Sequence, residues 1–119
     1  VLFRSAEVIV SALRDPVAGV VVSCGAGGAL TELIDDVVIA RAPLDVEGAR
    51  AALGRLRLVQ GLAKGRNPPG IEALARFVAD FSQVASSAPW KRFVIEVNPV
   101  KWSTKGVTAV DGLVIIEEC

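Results

Sequence analysis

Residues 95–100 read IEVNPV, and this alternating stretch decides the fold because its polar and apolar residues fall on opposite faces of a strand. Glu96 and Asn98 share one face, while the apolar residues pack behind them. If residues 107–117 return antiparallel beside this strand as a terminal hairpin, Asp111 approaches the face that carries Glu96 and Asn98.

Glu96, Asn98 and Asp111 together offer two carboxylates and one amide oxygen. Hard oxygen ligands of this kind suit magnesium, which keeps waters and substrate phosphates for the rest of its shell. The pattern therefore indicates a possible site for nucleotide-bound magnesium. The same residues are also typical of the solvated face of an edge hairpin, so the spacing alone leaves both interpretations open.

A glycine-rich segment, Gly25-Ala26-Gly27-Gly28, follows an apolar stretch at 19–24 that is typical of a covered central strand. Glycines allow backbone N–H groups to come within hydrogen-bonding distance of a phosphate. The spacing matches neither the dinucleotide-binding fingerprint nor the P-loop. A tight turn or a β-bulge also explains the segment.

Arg41 lies in an otherwise apolar predicted strand. An arginine in this position is usually paired with a carboxylate, and Glu32 and Asp35 are nearby in the sequence. The basic loop at 64–66 could hold an anion, or it is a solvated connection between helices.

The hydrophobic pattern predicts an α+β unit in which early strands precede two consecutive helices and a terminal hairpin. Strands are predicted at 7–13, 19–24, 29–34, 37–42, 92–97 and 107–117, with Pro99 ending the fifth. Asp45 is the predicted N-cap of a first helix that Gly61 closes, and a second helix carries an apolar stripe from Ile71 to Ala85. We expect a mixed or antiparallel sheet.

Composition excludes several classes of function. Of the 119 residues, 52% are hydrophobic, which fits one globular domain, and thirteen basic residues balance thirteen acidic ones, so no long-range field favours nucleic acid or a membrane surface. The chain has no His, which excludes His-dependent nucleophiles and His-ligated zinc within it. Cys24 and Cys119 have no metal-ligand spacing, and we expect Cys24 to be a buried core thiol. We expect a cytoplasmic protein. The lack of Met indicates that the start was processed away or that the chain is a piece of a longer protein.

The order of these segments resembles the C-terminal half of the ATP-grasp domain of NDP-forming acyl-CoA synthetases, of the ADP-forming acetate–CoA ligase type and related to succinyl-CoA synthetase β subunits. The segments that carry the resemblance are AEVIV (6–10), RDPV (14–17), GAGG (25–28), EL (32–33), DV (36–37), RAPL (41–44), EVNP (96–99) and AVD (109–111). The N-terminal half of the domain, with the adenine pocket and the phosphate-binding Lys, is expected to lie outside residues 1–119.

The resemblance implies a role for each matched residue. Asn98 and Asp111 match positions that hold magnesium on the nucleotide phosphates, and Glu96 has the same role or supports it. The implied cofactor-binding residues are Gly25, Gly27, Gly28 and Arg41. The implied cofactors are ATP or ADP with Mg²⁺.

The resemblance also implies partners. In the family, the nucleotide phosphorylates a histidine on a separate domain, or an acyl phosphate is made and passed to coenzyme A. We therefore expect a CoA-binding and phosphohistidine-bearing domain or subunit of the same enzyme. The alternatives are a non-catalytic ATP-grasp regulatory module fused to a protein acetyltransferase, and another ATP-grasp ligase of the succinyl-CoA or citrate-cleaving type.

Overall fold

The computed structural model of the chain describes residues 6–27 and 35–117. The strands are β1 (Ala6–Asp15), β2 (Gly19–Ala26), β3 (Val37–Arg41), β4 (Arg92–Ser103), β5 (Gly106–Ala109) and β6 (Gly112–Glu117). The helices are α1 (Val46–Leu53), α2 (Arg57–Ala63) and α3 (Ile71–Ser86). The predicted strand at 29–34 lies outside the described residues. No helix in the described ranges is long and apolar enough to cross a membrane.

The six strands of the described ranges form one antiparallel sheet. Its order is β3-β2-β1-β4, and the far edge of β4 pairs first with β6 and then with β5. β4 accommodates both partners because it is twelve residues long. The α+β class and the antiparallel sheet are therefore confirmed.

The core lies between one face of this sheet and the helices. On β1 and β2 every second side chain is buried on that face: Val8, Val10, Ala12, Val20, Val22 and Cys24. The stripe of α3 packs against them through Leu74, Ala75 and Val78, so the predicted apolar stripe is confirmed. The indole Nε1–H of Trp102 donates to the carbonyl oxygen of Gly70 at 2.9 Å, which fastens β4 to the start of α3.

The opposite side of the sheet, which we call the open face, carries the alternate side chains. They are half-buried or exposed because the described helices do not cover them: Ile9, Ser11, Leu13, Val21, Ser23, Ile39, Arg41, Val94 and Glu96. An open face that is mostly apolar calls for a covering layer, which the described residues do not supply.

The prediction of one helix from Asp45 to Gly61 is wrong in part. Asp45 is the N-cap, since its Oδ1 accepts from the N–H of Gly48 at 2.7 Å, but α1 ends at Leu53. A second helix, α2, then begins at Arg57, and Gly61 lies inside it. The first helix ends just before Gly54 because glycine has low helix propensity. The second begins where it does because the buried Asp36 carboxylate accepts hydrogen bonds from its first two amides.

Two strand predictions also need correction. Pro99 does not end β4, which continues to Ser103, because its missing N–H falls at a bulge where no ladder bond is lost. The predicted strand at 107–117 is two strands, since the chain leaves the ladder at Val110 and Asp111 and rejoins β4 at Gly112.

Candidate phosphate and metal site

The candidate site is built on a β-bulge in β4. The register pairs Val8 with Val100 but Val10 with Val97, so β4 has one more residue than β1 over this interval, at Asn98 and Pro99. The bulge reverses which residues of β4 face the core: Phe93 is buried before it, and Val100 and Trp102 are buried after it. Bulges commonly redirect side chains in this way next to functional sites.

The opposite edge of β4 is interrupted at the same level. The N–H of Asn98 donates to the carbonyl of Asp111 at 3.0 Å, and the N–H of Val110 donates to the carbonyl of Pro99 at 3.0 Å. These two bonds hold the link between β5 and β6 against the bulge. The prediction that Asp111 returns antiparallel beside the strand is therefore confirmed.

Glu96, Asn98 and Asp111 line one cavity of about 220 Å³, together with Gly112 and Leu113. Glu96 is half-buried, and the other two polar side chains are exposed. One carboxylate oxygen of Asp111 accepts from the N–H of Gly112 at 2.8 Å, which orients the side chain, and within residues 6–27 and 35–117 its second oxygen accepts no hydrogen bond. The structure thus brings together all three residues that the sequence pattern indicated.

The donor set suits a hard divalent cation. The described residues contain no cluster of three or more His, Cys, Asp or Glu side chains. The cavity instead offers two carboxylates and one amide oxygen. Magnesium is usually held by one or two carboxylates, with waters and phosphates completing its octahedron, so the residues fit this ion.

Gly25 and Gly27 have a packing role that the sequence pattern did not predict. Gly25 and Ala26 still belong to β2, so regular structure ends later than expected. A Cβ on Gly25 would lie 3.2 Å from the carbonyl oxygen of Asp36, and one on Gly27 would lie 3.2 Å from that of Glu7. Both glycines therefore allow close approach of two backbones.

Two amides of this segment are already used inside the protein. The N–H of Ala26 donates to the carbonyl of Asp36 at 2.9 Å, and the N–H of Gly27 donates to that of Glu7 at 2.7 Å. Gly28 lies outside the described residues. A role of Gly25, Gly27 and Gly28 in binding the cofactor stays a prediction.

Arg41 lies on the open face but far from the carboxylates. Glu96 on β4 pairs with Ser11 on β1, which pairs with Ser23 on β2, which in turn pairs with Ile39 on β3. Arg41 lies two residues beyond Ile39. Arg41 is therefore separated from Glu96 by three strand spacings, or about 14 Å across the sheet, and by a further two residues along β3. The expected pairing with Asp35 does not form, and Glu32 lies outside the described residues.

Sequence reasoning missed a hydroxyl pair on this face. Ser11 Oγ and Ser23 Oγ are 2.6 Å apart, on adjacent strands and in direct register. No signal in the sequence relates these two residues to Glu96, because the relation depends on pairing between β1 and a strand some eighty residues later.

The fold is that of an ATP-grasp domain, as comparison with known proteins shows. The profile of the ATP-grasp domain family matches residues 2–116, so the chain belongs to that family.

Among individual proteins, the chain is 33% identical over 112 residues to the β subunit of ADP-forming acetate–CoA ligase I of Pyrococcus furiosus. The match covers 92% of this chain and 48% of that subunit. It is 32% identical over 115 residues to a trans-feruloyl-CoA synthase from an unknown prokaryotic organism, covering 93% of this chain and 16% of that protein.

A solved structure is also similar, with a TM-score of 0.84 and 29% identity. It is the dinucleotide-forming acetyl-coenzyme A synthetase 1 of Candidatus Korarchaeum cryptofilum, in complex with coenzyme A and Mg-AMPPCP and with its phosphohistidine segment pointing towards the nucleotide binding site. The match covers 94% of this chain and 53% of that one. The chain thus spans about half of the solved structure and at most about half of these relatives.

Proposed function

We propose that this chain is the part of an ATP-grasp domain that binds magnesium and nucleotide phosphates in an ADP-forming acyl-CoA ligase. Such an enzyme interconverts an acyl carboxylate, coenzyme A and ATP with acyl-CoA, ADP and phosphate. The observation that carries the proposal is the convergence of Glu96, Asn98 and Asp111 on one cavity at the β4 bulge.

These three residues would hold magnesium, which when bound offsets the negative charge of the nucleotide phosphates. The chain's own contribution is positioning. The backbone bonds from Asn98 to Asp111 and from Val110 to Pro99 keep Asn98 and Asp111 beside each other. Catalysis of phosphoryl transfer depends mainly on this kind of positioning and on charge stabilisation.

The covalent part of the reaction would belong to another domain or subunit. This chain contains no His, whereas the similar acetyl-coenzyme A synthetase has a phosphohistidine segment directed at its nucleotide site. We propose that a CoA-binding, phosphohistidine-bearing domain faces the open face of this sheet. The two similar proteins differ in their acyl group, since one is named as an acetate–CoA ligase and the other as a trans-feruloyl-CoA synthase.

The test uses the complete ligase that contains this chain. Asn98→Ala and Asp111→Asn each remove one proposed metal ligand, and Asp80→Asn changes an exposed carboxylate on α3 as the matched control. We expect the two site variants to lose ATP-dependent acyl-CoA formation and to bind Mg-ATP at least about tenfold more weakly, which corresponds to about 1.4 kcal/mol. Near-normal turnover in both would refute the metal assignment.

A second measurement tests whether nucleotide binding also requires a part of the ATP-grasp domain outside these 119 residues. Titration calorimetry of the isolated 119-residue chain with Mg-ATP should show little or no heat of binding. Micromolar affinity would contradict the proposal that the adenine pocket lies on a different segment.

A further inference from the structure

The open face carries one polar feature that the proposed metal site does not use. Ser11 and Ser23 are half-buried, and their hydroxyl oxygens lie 2.6 Å apart. The register places Ser11 directly beside Glu96 on β4 and directly beside Ser23 on β2. A polar row therefore crosses three strands, starting at the candidate metal site.

The surroundings of this row are apolar. Ile9 and Leu13 flank Ser11 along β1 on the same face, and Val21 precedes Ser23 along β2. Apolar side chains in those places lower the local polarity, so a hydrogen bond made there gains strength.

The hydroxyl pair also has unused hydrogen-bonding capacity. Each serine can donate once and accept twice, and the mutual bond consumes one donor and one acceptor. In the described part of the chain neither hydroxyl has another partner. One O–H of the pair is therefore free to donate to an acceptor above the sheet.

The distance between Glu96 and the two serines is one that a metal-bound phosphate can span. Neighbouring strands are about 4.8 Å apart, so Ser11 lies one spacing from Glu96 and Ser23 lies two spacings away. Magnesium lies about 2.1 Å from its oxygen ligands, and an O–H···O bond spans about 2.7 Å. A phosphate with one oxygen on the metal can thus offer another oxygen to the serine pair.

We propose that the Ser11–Ser23 pair positions the nucleotide by donating a hydrogen bond to one of its phosphate oxygens. This inference rests on the proposed function, since it needs a nucleotide at Glu96, Asn98 and Asp111. It adds a neutral donor on the sheet side of the phosphates, where the carboxylates cannot contribute one. The serines hold the phosphate in place and are not assigned a role as nucleophile or proton carrier.

The experiment measures binding of Mg-ATP and of adenosine to the complete ligase, by titration calorimetry. Ser11→Ala and Ser11→Cys remove the hydroxyl, and Ser11→Thr keeps it. Ser87→Ala is the matched control, because Ser87 also makes an intramolecular hydroxyl bond, to the carbonyl of Gln83, but lies at the end of α3. Ser23→Ala tests the second member of the pair.

We expect Ser11→Ala, Ser11→Cys and Ser23→Ala to bind Mg-ATP about tenfold more weakly, as for loss of a hydrogen bond to a charged group. Adenosine, which has no phosphate, should bind all variants equally. Ser11→Thr should stay within about threefold of the parent chain, and Ser87→Ala should match it.

Two results would overturn the inference. If the alanine and cysteine variants bind Mg-ATP normally and only melt at a lower temperature, the pair is merely a cross-strand contact. If adenosine affinity falls by the same factor, the serines contact the nucleoside and not a phosphate. An error in the proposed metal site can be told apart from an error in the serine inference. It would show as normal Mg-ATP binding by Asn98→Ala, whatever the serine variants do.

Discussion

The contribution of Asp36 to the stability of the fold can be measured, because this residue contacts both the end of β2 and the start of α2. The residue is 5% exposed, and its two carboxylate oxygens accept from the amides of Arg57 and Leu58, each at 2.8 Å. The same residue's carbonyl accepts from the N–H of Ala26 at 2.9 Å. One residue therefore joins the end of β2 to the start of α2.

Asp36→Ala leaves two amides at a helix start without their acceptor. A hydrogen bond to a charged group contributes about 1.5–3 kcal/mol, and loss of an N-cap costs about 0.5–2 kcal/mol. Because the buried carboxylate also loses its desolvation cost, we expect a net destabilisation of about 2–4 kcal/mol for Asp36→Ala. Asp36→Asn keeps one acceptor oxygen, so we expect about half that loss.

Urea unfolding followed by circular dichroism measures these differences as shifts in the midpoint at constant slope. Asp35→Asn is the control, because the neighbouring residue is exposed and has a positive φ of 51° that Asn tolerates. We expect it to change the free energy of unfolding by less than about 0.5 kcal/mol. If Asp36→Ala behaves like this control, the carboxylate does not stabilise the start of α2.

Two further predictions concern residues around the same strands. Gly27→Ala should destabilise the chain by about 1–3 kcal/mol in urea unfolding, because its Cβ would press on the backbone of Glu7, whereas Gly61→Ala, with open space inside α2, should stabilise it by about 0.5–1 kcal/mol. Equal effects would contradict the packing argument. Burial raises the pKa of the Cys24 thiol from 9.0 to about 12, so above pH 9 the unfolded chain loses this proton first and stability falls. Relative to Cys24→Val, the parent chain should lose about 1.4 kcal/mol between pH 8 and pH 10, and parallel pH profiles would show that the thiol is not buried.

Much of the local structure follows from the sequence because its causes are local. The apolar alternation of β1 and β2, the stripe of α3 and the Asp45 cap each depend on residues a few positions apart. The sequence pattern did not predict the break between α1 and α2, because part of its cause, the Asp36 carboxylate, lies 21 residues before Arg57. A helical pattern that continues across Gly54 does not reveal that a distant side chain starts a new helix.

The site shows the same division. The residue types at Glu96, Asn98 and Asp111 indicated a possible site for a hard cation, because magnesium prefers carboxylate and amide oxygens, but they fitted a solvated hairpin face as well. The family resemblance implied a cofactor-binding role for Gly25 and Gly27, and the structure adds that two backbones approach closely at each of them. This packing reason for the glycines depends on contacts with Asp36 and Glu7, which the sequence alone does not show.

The sequence by itself determined the class of each long element, the absence of histidine chemistry within the chain and the residues that could hold a cation. The tertiary structure alone decided that β4 passes through Pro99, that a bulge brings Asp111 beside Asn98 and that Ser11 and Ser23 continue the row from Glu96. The physical reason is register. Strand pairing between β1 and β4 joins residues some ninety positions apart, and a shift of one residue would reverse which side chains lie on the open face.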